Sequence, residues 1–318
     1  MRSSSRPAFS TSARSNRNKS KCLVYSSRKG SPAFRFRAKA ARRYLPPATP
    51  AGRFDMSDMQ RQYQDSSKMM ARALIHIKYA PSRKPWSLAD TGLFTAGARV
   101  LDIGCGPGRF WAANAKALPP GLDLTLADLS PGMVDEAVKN VSGADGEWRS
   151  VAGEVADVCA LPFADDSFDI VTALFMLYHA PDKDRAVSEI ARVLRPNGRL
   201  IVVTNSTDTM KEMSLLSHAV FGTPPYDVGS APFSLESGEP ILRRHFQDVE
   251  VKAITDVLRI TDAVDIVNCL TSFPPGDTAD EATLQHLDRE LAARMNAQGG
   301  VFPVTRIAGY IVASGQLA

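Results

Sequence analysis

Val100-Leu-Asp-Ile-Gly-Cys-Gly-Pro-Gly108 is the stretch that decides the fold. The apolar run Ala98–Ile103 reads as a short buried strand. It runs into glycines at 104, 106 and 108, and Arg109–Leu118 follows with helical character before Pro119-Pro120-Gly121. Without Cβ atoms, the backbone at such a junction turns tightly and lets a ligand approach closely. In a doubly wound α/β sheet, ligands bind at the carboxyl ends of the strands. Asp102 puts a carboxylate at that end, where it meets an ammonium directly or through water. Asp128 closes the next strand, at the position that reaches a ribose diol in such sheets. The glycine spacing is GxGxG, whereas the dinucleotide fingerprint is GxGxxG. An acid beside the turn also disfavours a pyrophosphate, so a ligand with an ammonium and no phosphate fits better than a nicotinamide dinucleotide.

Outward from this loop, strand and helix signals alternate. Leu122–Ala127 is a strand. Ser130 is a helix N-cap with Pro131 as first helical residue, and Met133, Val134, Ala137, Val138 and Val141 line one face. Trp148–Val155 and Phe168–Leu174 read as strands. Val187, Ile190, Ala191 and Leu194 share a helix face, and Asn197-Gly198 turns the chain into a strand over Arg199–Thr204. The alternation predicts a parallel, doubly wound sheet. Further on, helices are expected at Thr209–Val220, Glu239–Phe246, Asp262–Leu270 and Asp280–Met295. Strands are expected at Val249–Ile254 and Thr305–Ala313, with Gly222–Gly238 a broken loop. Residues 206–300 would then cap the site. Upstream, Met69, Met70, Ala73, Leu74 and Ile77 recur at helical spacing until Pro81 and Pro85, making 56–97 a helical lead-in.

The net charge of +4 over 318 residues hides a split. Fourteen of the 38 Lys and Arg lie in residues 1–53, which hold no acid; beyond them 24 bases face 34 acids. The first 55 residues read as a basic, unstructured extension. It is either an Arg- and Ser-rich mitochondrial transit peptide or a stretch preceding a true start at Met56, the reading preferred here, which places the protein in the cytoplasm. An acidic body argues against nucleic acid as substrate. No run approaches 18 consecutive apolar residues, so no membrane span is expected. Cys22, Cys105, Cys159 and Cys269 form no CxxC pair, and no clustered His and carboxylate pattern implies a metal.

The motif order ties the chain to a family. Asp128-Leu-Ser-Pro-Gly-Met133 follows the glycine loop. Then come Val155-Ala-Asp-Val-Cys-Ala-Leu-Pro-Phe-Ala-Asp-Asp-Ser-Phe-Asp-Ile-Val171, Leu177-Tyr-His-Ala-Pro-Asp182 and Glu189-Ile-Ala-Arg-Val-Leu-Arg-Pro-Asn-Gly198. In order and spacing, residues 98–205 closely resemble class I methyltransferases that use S-adenosylmethionine (SAM), of the ubiquinone- and menaquinone-methylating type. The resemblance implies a Rossmann-like seven-stranded sheet with helical cap elements, and a methyltransferase domain over 98–318. It implies that Asp102, Gly104, Gly106 and Gly108 hold the methionine moiety and Asp128 the ribose hydroxyls. Leu129 and Met133 would pack on the adenine. Asp157 would accept from the adenine amino group, with Val158 offering a backbone N–H, and Leu174 and Phe175 would border the methionine end.

Plainer roles compete with these. Asp102 would cap the turn after it, Asp128 would complement a helix dipole, and Met133 would be ordinary core. Asp165 and Asp166 read as solvated turn residues, and Asp169 as satisfying nearby backbone. For the acceptor, His179 and Tyr178, just past the fourth strand, are candidates for catalysis, His179 as a base, or else structural loop residues. His245 reads as surface, while His76, Arg72 and Tyr63 would belong to an N-terminal segment folded over the site. The expected reaction moves a methyl group to an oxygen, nitrogen or carbon centre of a small molecule. The competing reading is a SAM-binding partner that does not catalyse. Oligomeric state is not legible.

Overall fold

The computed structural model describes residues 23–24, 74–79 and 88–317. Seven long strands form the sheet: β1 Arg99–Ile103, β2 Leu122–Asp128, β3 Trp148–Val155, β4 Phe168–Leu174, β5 Leu194–Asn205, β6 Phe246–Ile260 and β7 Phe302–Gln316. Their order is β6-β7-β5-β4-β1-β2-β3. All pairs from β5 to β3 are parallel, and β7 is antiparallel to both its neighbours. At the outer edge of β6, Leu23–Val24 pairs antiparallel with Ala253 and Lys252. That pairing departs from an unstructured extension; the rest of the first 55 residues lies outside the described residues.

Parallel strands need helical crossovers that cover both faces. On one face, α1 (Arg109–Asn114), α2 (Pro131–Ser142) and the segment Leu88–Phe94 bury Trp111, Leu124 and Val141. On the other, α3 (Lys183–Val193) and α5 (Leu235–Leu242) bury Val171, Ile190 and Phe233. The core strands match expectation to within a residue or two. β5 starts earlier, at Leu194, and Asn197 takes a left-handed φ of 96° where its register with β4 shifts. Helix α1 ends at Asn114 rather than Leu118, because Asn114 O takes the Ala117 and Leu118 N–H groups in a tightened turn.

The larger departure is the β6–β7 hairpin. The expected strands ended near Ile254 and began near Thr305, yet both run 15 residues, paired from Phe246↔Gln316 to Ile260↔Phe302. β7 leaves β5 at Asn205↔Ala308, so its residues 302–307 extend past the carboxyl ends of the parallel strands. Backbone groups on that exposed flank need partners. Ser206 N–H donates to Ile307 O and Met210 N–H to Thr305 O. Glu212 accepts from the Thr305 N–H and hydroxyl, and Thr209 Oγ1 from the Ile307 N–H.

The arm carries its own apolar core. α4 (Lys211–Phe221), α6 (Ala263–Leu270), α7 (Glu281–Ala297) and the helical residues 74–79 enclose Ile75, Leu258, Ile260, Leu287, Leu291 and Val304. On the 74–79 helix, Ile75 is the buried residue, while Leu74 and Ile77 are exposed, so the face read from spacing is rotated. Lys78 and Tyr79 fix that helix by donating to Asp265 Oδ2 at 2.7 and 2.6 Å. Helix α5 begins at Leu235, inside the expected loop, because Ser234 and Ser237 form a capping box. The helix expected over Glu239–Phe246 therefore ends at Leu242, and Phe246 opens β6.

Candidate active site

The glycine turn and the ends of β2, β3 and β4 lie along one edge of the sheet. Gly104, Gly106 and Gly108 all have positive φ. A Cβ on Gly104 would come within 2.6 Å of the Met176 side chain, so glycine there lets the segment after β4 close in. A Cβ on Gly106 would meet nothing within 4 Å, so this residue borders open space. Cys105 N–H donates to Ala127 O, and its thiol to Gly106 O, in the body of the turn.

Asp128 fastens this turn. Its Oδ2 accepts the Gly106 N–H at 2.9 Å and its Oδ1 the Ser130 N–H at 3.0 Å. Ser130 occupies the N-cap position of α2 but makes no side-chain cap, Asp128 supplying the acceptor there instead. Asp102 is 2% exposed. Its Oδ2 accepts from Trp111 Nε1 at 2.8 Å and its Oδ1 from Thr172 Oγ1 at 2.6 Å. It therefore does not cap the turn after it. Burial pushes its pKa up to about 6, the two hydrogen bonds pull down, and the Asp128 charge adds to the rise. A carboxylate has about four lone-pair sites, so two acceptor directions are left after Trp111 and Thr172.

Apolar side chains stand unusually bare around this edge. Leu129 after β2 is 57% exposed, Val155 at the end of β3 48%, and Phe175 after β4 40%. Met133 and Leu174 are half-buried and Val158 is buried. Asp157 is exposed, and its Oδ1 accepts the Cys159 N–H at 2.8 Å. Tyr178 and His179 lie in one 3-10 turn, Leu177–His179, with rings 4.5 Å apart. His179 is solvent-exposed yet ringed by protein, and burial followed by Lys183 holds its pKa below the usual histidine value. Sequence reasoning thus places its candidates on one edge. It missed Trp111 and Thr172 as the grip on Asp102, for which the signal was a buried indole N–H in need of a partner.

Other titratable residues fall elsewhere. Asp169 accepts from the Arg99 N–H and from Arg195, at the opposite end of the sheet beside an opening of about 310 Å³. Asp165 is exposed and bonded to Arg192, and Asp166 N–H donates to Arg192 O. His245 is half-buried and bonded to Asp184 at 2.9 Å, not a bare surface residue. His76 is half-buried beside the Arg306–Asp256 pair of the arm, and burial and Arg306 lower its pKa. Arg72 and Tyr63 lie outside the described residues. Among the described residues, no three His, Cys, Asp or Glu are grouped to hold a metal, and no helix is long and apolar enough to cross a membrane.

Residues 101–202 match the family model described as a methyltransferase domain. The chain is 41% identical over 156 residues to Methyltransferase GfsG of Streptomyces halstedii, covering 44% of this chain and 55% of that protein. It is 36% identical over 114 residues to the ubiquinone/menaquinone biosynthesis C-methyltransferase UbiE of Geobacter sulfurreducens, covering 36% and 44%. The chain thus spans about half the length of these relatives. It is 30% identical over 220 residues to O-methyltransferase resE of Aspergillus sclerotiorum, covering 64% of this chain and 80% of that protein. The YcgJ protein of Bacillus subtilis superposes with a TM-score of 0.47 at 22% identity, over 73% of this chain and 97% of that one. With four-fifths of a 30%-identical relative covered and the motif order intact from β1 to β5, the chain belongs to the class I SAM-dependent methyltransferase family.

Proposed function

We propose that the chain transfers a methyl group from SAM to a small-molecule acceptor. The observation that carries this is the turn at Gly106: open to space on one side, tied to Asp128 on the other, and flanked by the bare apolar side chains Leu129, Val155 and Phe175. Such a site suits a nucleoside carrying an amino-acid tail. Asp102, Gly104, Gly106 and Gly108 would hold the methionine end and Asp128 the ribose. Leu129 and Met133 would pack on the adenine, with Asp157 and the Val158 N–H reading its edge and Leu174 bordering the methionine. The residues fit the cofactor, with Asp102 as a second contact whose carboxylate is already held in place.

The cofactor, when bound, supplies a methyl group activated on a sulfonium, so the protein acts by positioning the acceptor and excluding water. The arm and its helices rise on the same edge and would cover the acceptor. His179 is neutral near physiological pH and would take a proton from an acceptor that must lose one. Relatives are named for oxygen methylation, as O-methyltransferase resE is, and for carbon methylation, as the C-methyltransferase UbiE is, so the acceptor centre is an oxygen, a nitrogen or a carbon. Nucleic acid is not the expected substrate, and the cytoplasm is the expected compartment. Incubation with labelled SAM and a panel of hydroxyl, amine and carbon acceptors tests the reading. Label in an acceptor supports an enzyme, whereas tight binding without turnover on any acceptor would assign a partner that only binds SAM.

A further inference from the structure

Helix α3 packs its apolar face into the core beside the Leu177–His179 turn, and three residues of its polar face reach a single loop. Arg185, Glu189 and Arg192 sit one turn apart on that face. Arg185 Nε donates to Cys159 O at 3.1 Å. Glu189, only 6% exposed, accepts the Leu161 N–H at 3.0 Å. Arg192 donates to Leu161 O at 3.0 Å, to Phe163 O at 2.7 Å and to Asp165 Oδ1 at 2.7 Å. The three also bind one another, since Glu189 Oε1 meets Arg185 at 3.2 Å and Glu189 Oε2 meets Arg192 at 2.8 Å. Every second residue of the loop from Cys159 to Asp165 is therefore held by α3.

The loop opens with Asp157, whose Oδ1 is fixed by Cys159 N–H while its Oδ2 accepts nothing among the described residues. The direction of that free oxygen is set by Cys159, and Cys159 is set by Arg185 and by its own thiol, which donates to Asp182 O at 3.4 Å. The buried Glu189 carboxylate pairs with the half-buried Arg192 and the exposed Arg185, and removing Arg192 leaves that buried charge short of its compensation.

We propose that Arg185, Glu189 and Arg192 are positioning residues that aim Asp157 at the adenine amino group, and so set the selectivity for the base. This rests on the reading above that Asp157 faces the adenine. An amino group donates to the free Asp157 oxygen. A base carrying a carbonyl at that position presents an acceptor to an acceptor and is rejected, but only while the carboxylate is held in line.

The test is calorimetric binding of S-adenosylhomocysteine and of S-inosylhomocysteine, its deaminated analogue, to the full chain and its variants. The wild type should prefer the adenosyl ligand by about ten- to hundredfold, the scale of one hydrogen bond to a charged group. In Arg192→Gln and Glu189→Gln this ratio should fall at least about fivefold, mostly through weaker adenosyl binding, and Arg192→Lys should restore part of it. Arg185→Gln removes one loop bond from a largely exposed side chain and should lower the ratio by a smaller step, which keeps the test open if a buried variant fails to fold. A ratio unchanged in folded variants, or both ligands weakened by one factor, overturns the proposal. A wild-type ratio near one overturns the adenine reading and the role of α3 with it. Failure of the wild type to bind either ligand overturns the proposed function itself.

Discussion

The parallel half of the sheet and the β6–β7 arm solve opposite problems. In the parallel half, β1 to β4 are 5 to 8 residues long and end together, leaving polar turns and bare apolar side chains along one edge. In the arm, two 15-residue strands run past that edge and bury their end under helices. The first half spends conformational strain on a site: three positive-φ glycines, a buried carboxylate and Phe175 at φ 56°. The arm spends its residues on packing. The two regions rest on separate apolar cores, so the proposed roles of cofactor recognition and acceptor coverage would be separable.

Changes on either side should sharpen that separation. The largest effect is expected from Asp128→Ala, which removes the proposed ribose contact and both loop bonds to Gly106 and Ser130. S-Adenosylhomocysteine affinity measured by calorimetry should fall about a hundredfold or more, since hydrogen bonds to a charged group are worth about 1.5–3 kcal/mol each. Unchanged affinity would retire Asp128 from the site. On the arm, Leu287→Ala empties a fully buried position and should cost about 2–4 kcal/mol in denaturant unfolding. Affinity for the same ligand should stay within about twofold, as expected for non-contacting sites; a matching loss of affinity would join the two regions into one unit.

Asp102→Asn sits between these extremes and should move stability and binding in opposite directions. The carboxyl's pKa rises from 3.8 to about 6 in the folded chain. Between those values the folded state keeps the proton that the unfolded state has lost, so stability falls as pH rises through the window. At neutral pH the ionised, buried group costs about 3 kcal/mol. The asparagine variant should therefore be more stable by about 1–3 kcal/mol at pH 7.5, with the gain shrinking toward pH 4, while ligand affinity drops about tenfold. A destabilised variant would mean that the Trp111 and Thr172 hydrogen bonds outweigh the burial of charge. The smallest change should come from His179→Gln. Binding of S-adenosylhomocysteine should be untouched, but turnover on a hydroxyl acceptor should drop. In the wild type, turnover should fall only below about pH 6.5, because the folded histidine resists protonation.

The parallel half was legible because its periodicity, glycines and turn residues agree with one another. Trp148–Val155 and Phe168–Leu174 appear in the fold with the expected bounds, the second read from its β-branched, apolar run. The arm was only half legible. Asp256 and Arg306 interrupt the apolar pattern of both strands, and nothing local announces that they pair across the hairpin. Helix α5 was read four residues late, at Glu239, because Gly238 closes a stretch broken by prolines and glycines, while the Ser234–Ser237 capping box starts the helix at Leu235. At the site, the identities of Asp102 and Asp128 were readable but their partners were not. Thr172 lies 70 residues from Asp102, and only the β1–β4 pairing brings them together.

Titration of the purified chain with S-adenosylhomocysteine in a calorimeter addresses the central claim most directly. Saturable heat from one site per chain is expected, absent with NADH and abolished or strongly weakened by Asp128→Ala. A flat titration with the wild-type protein, or equal binding of NADH, would contradict it.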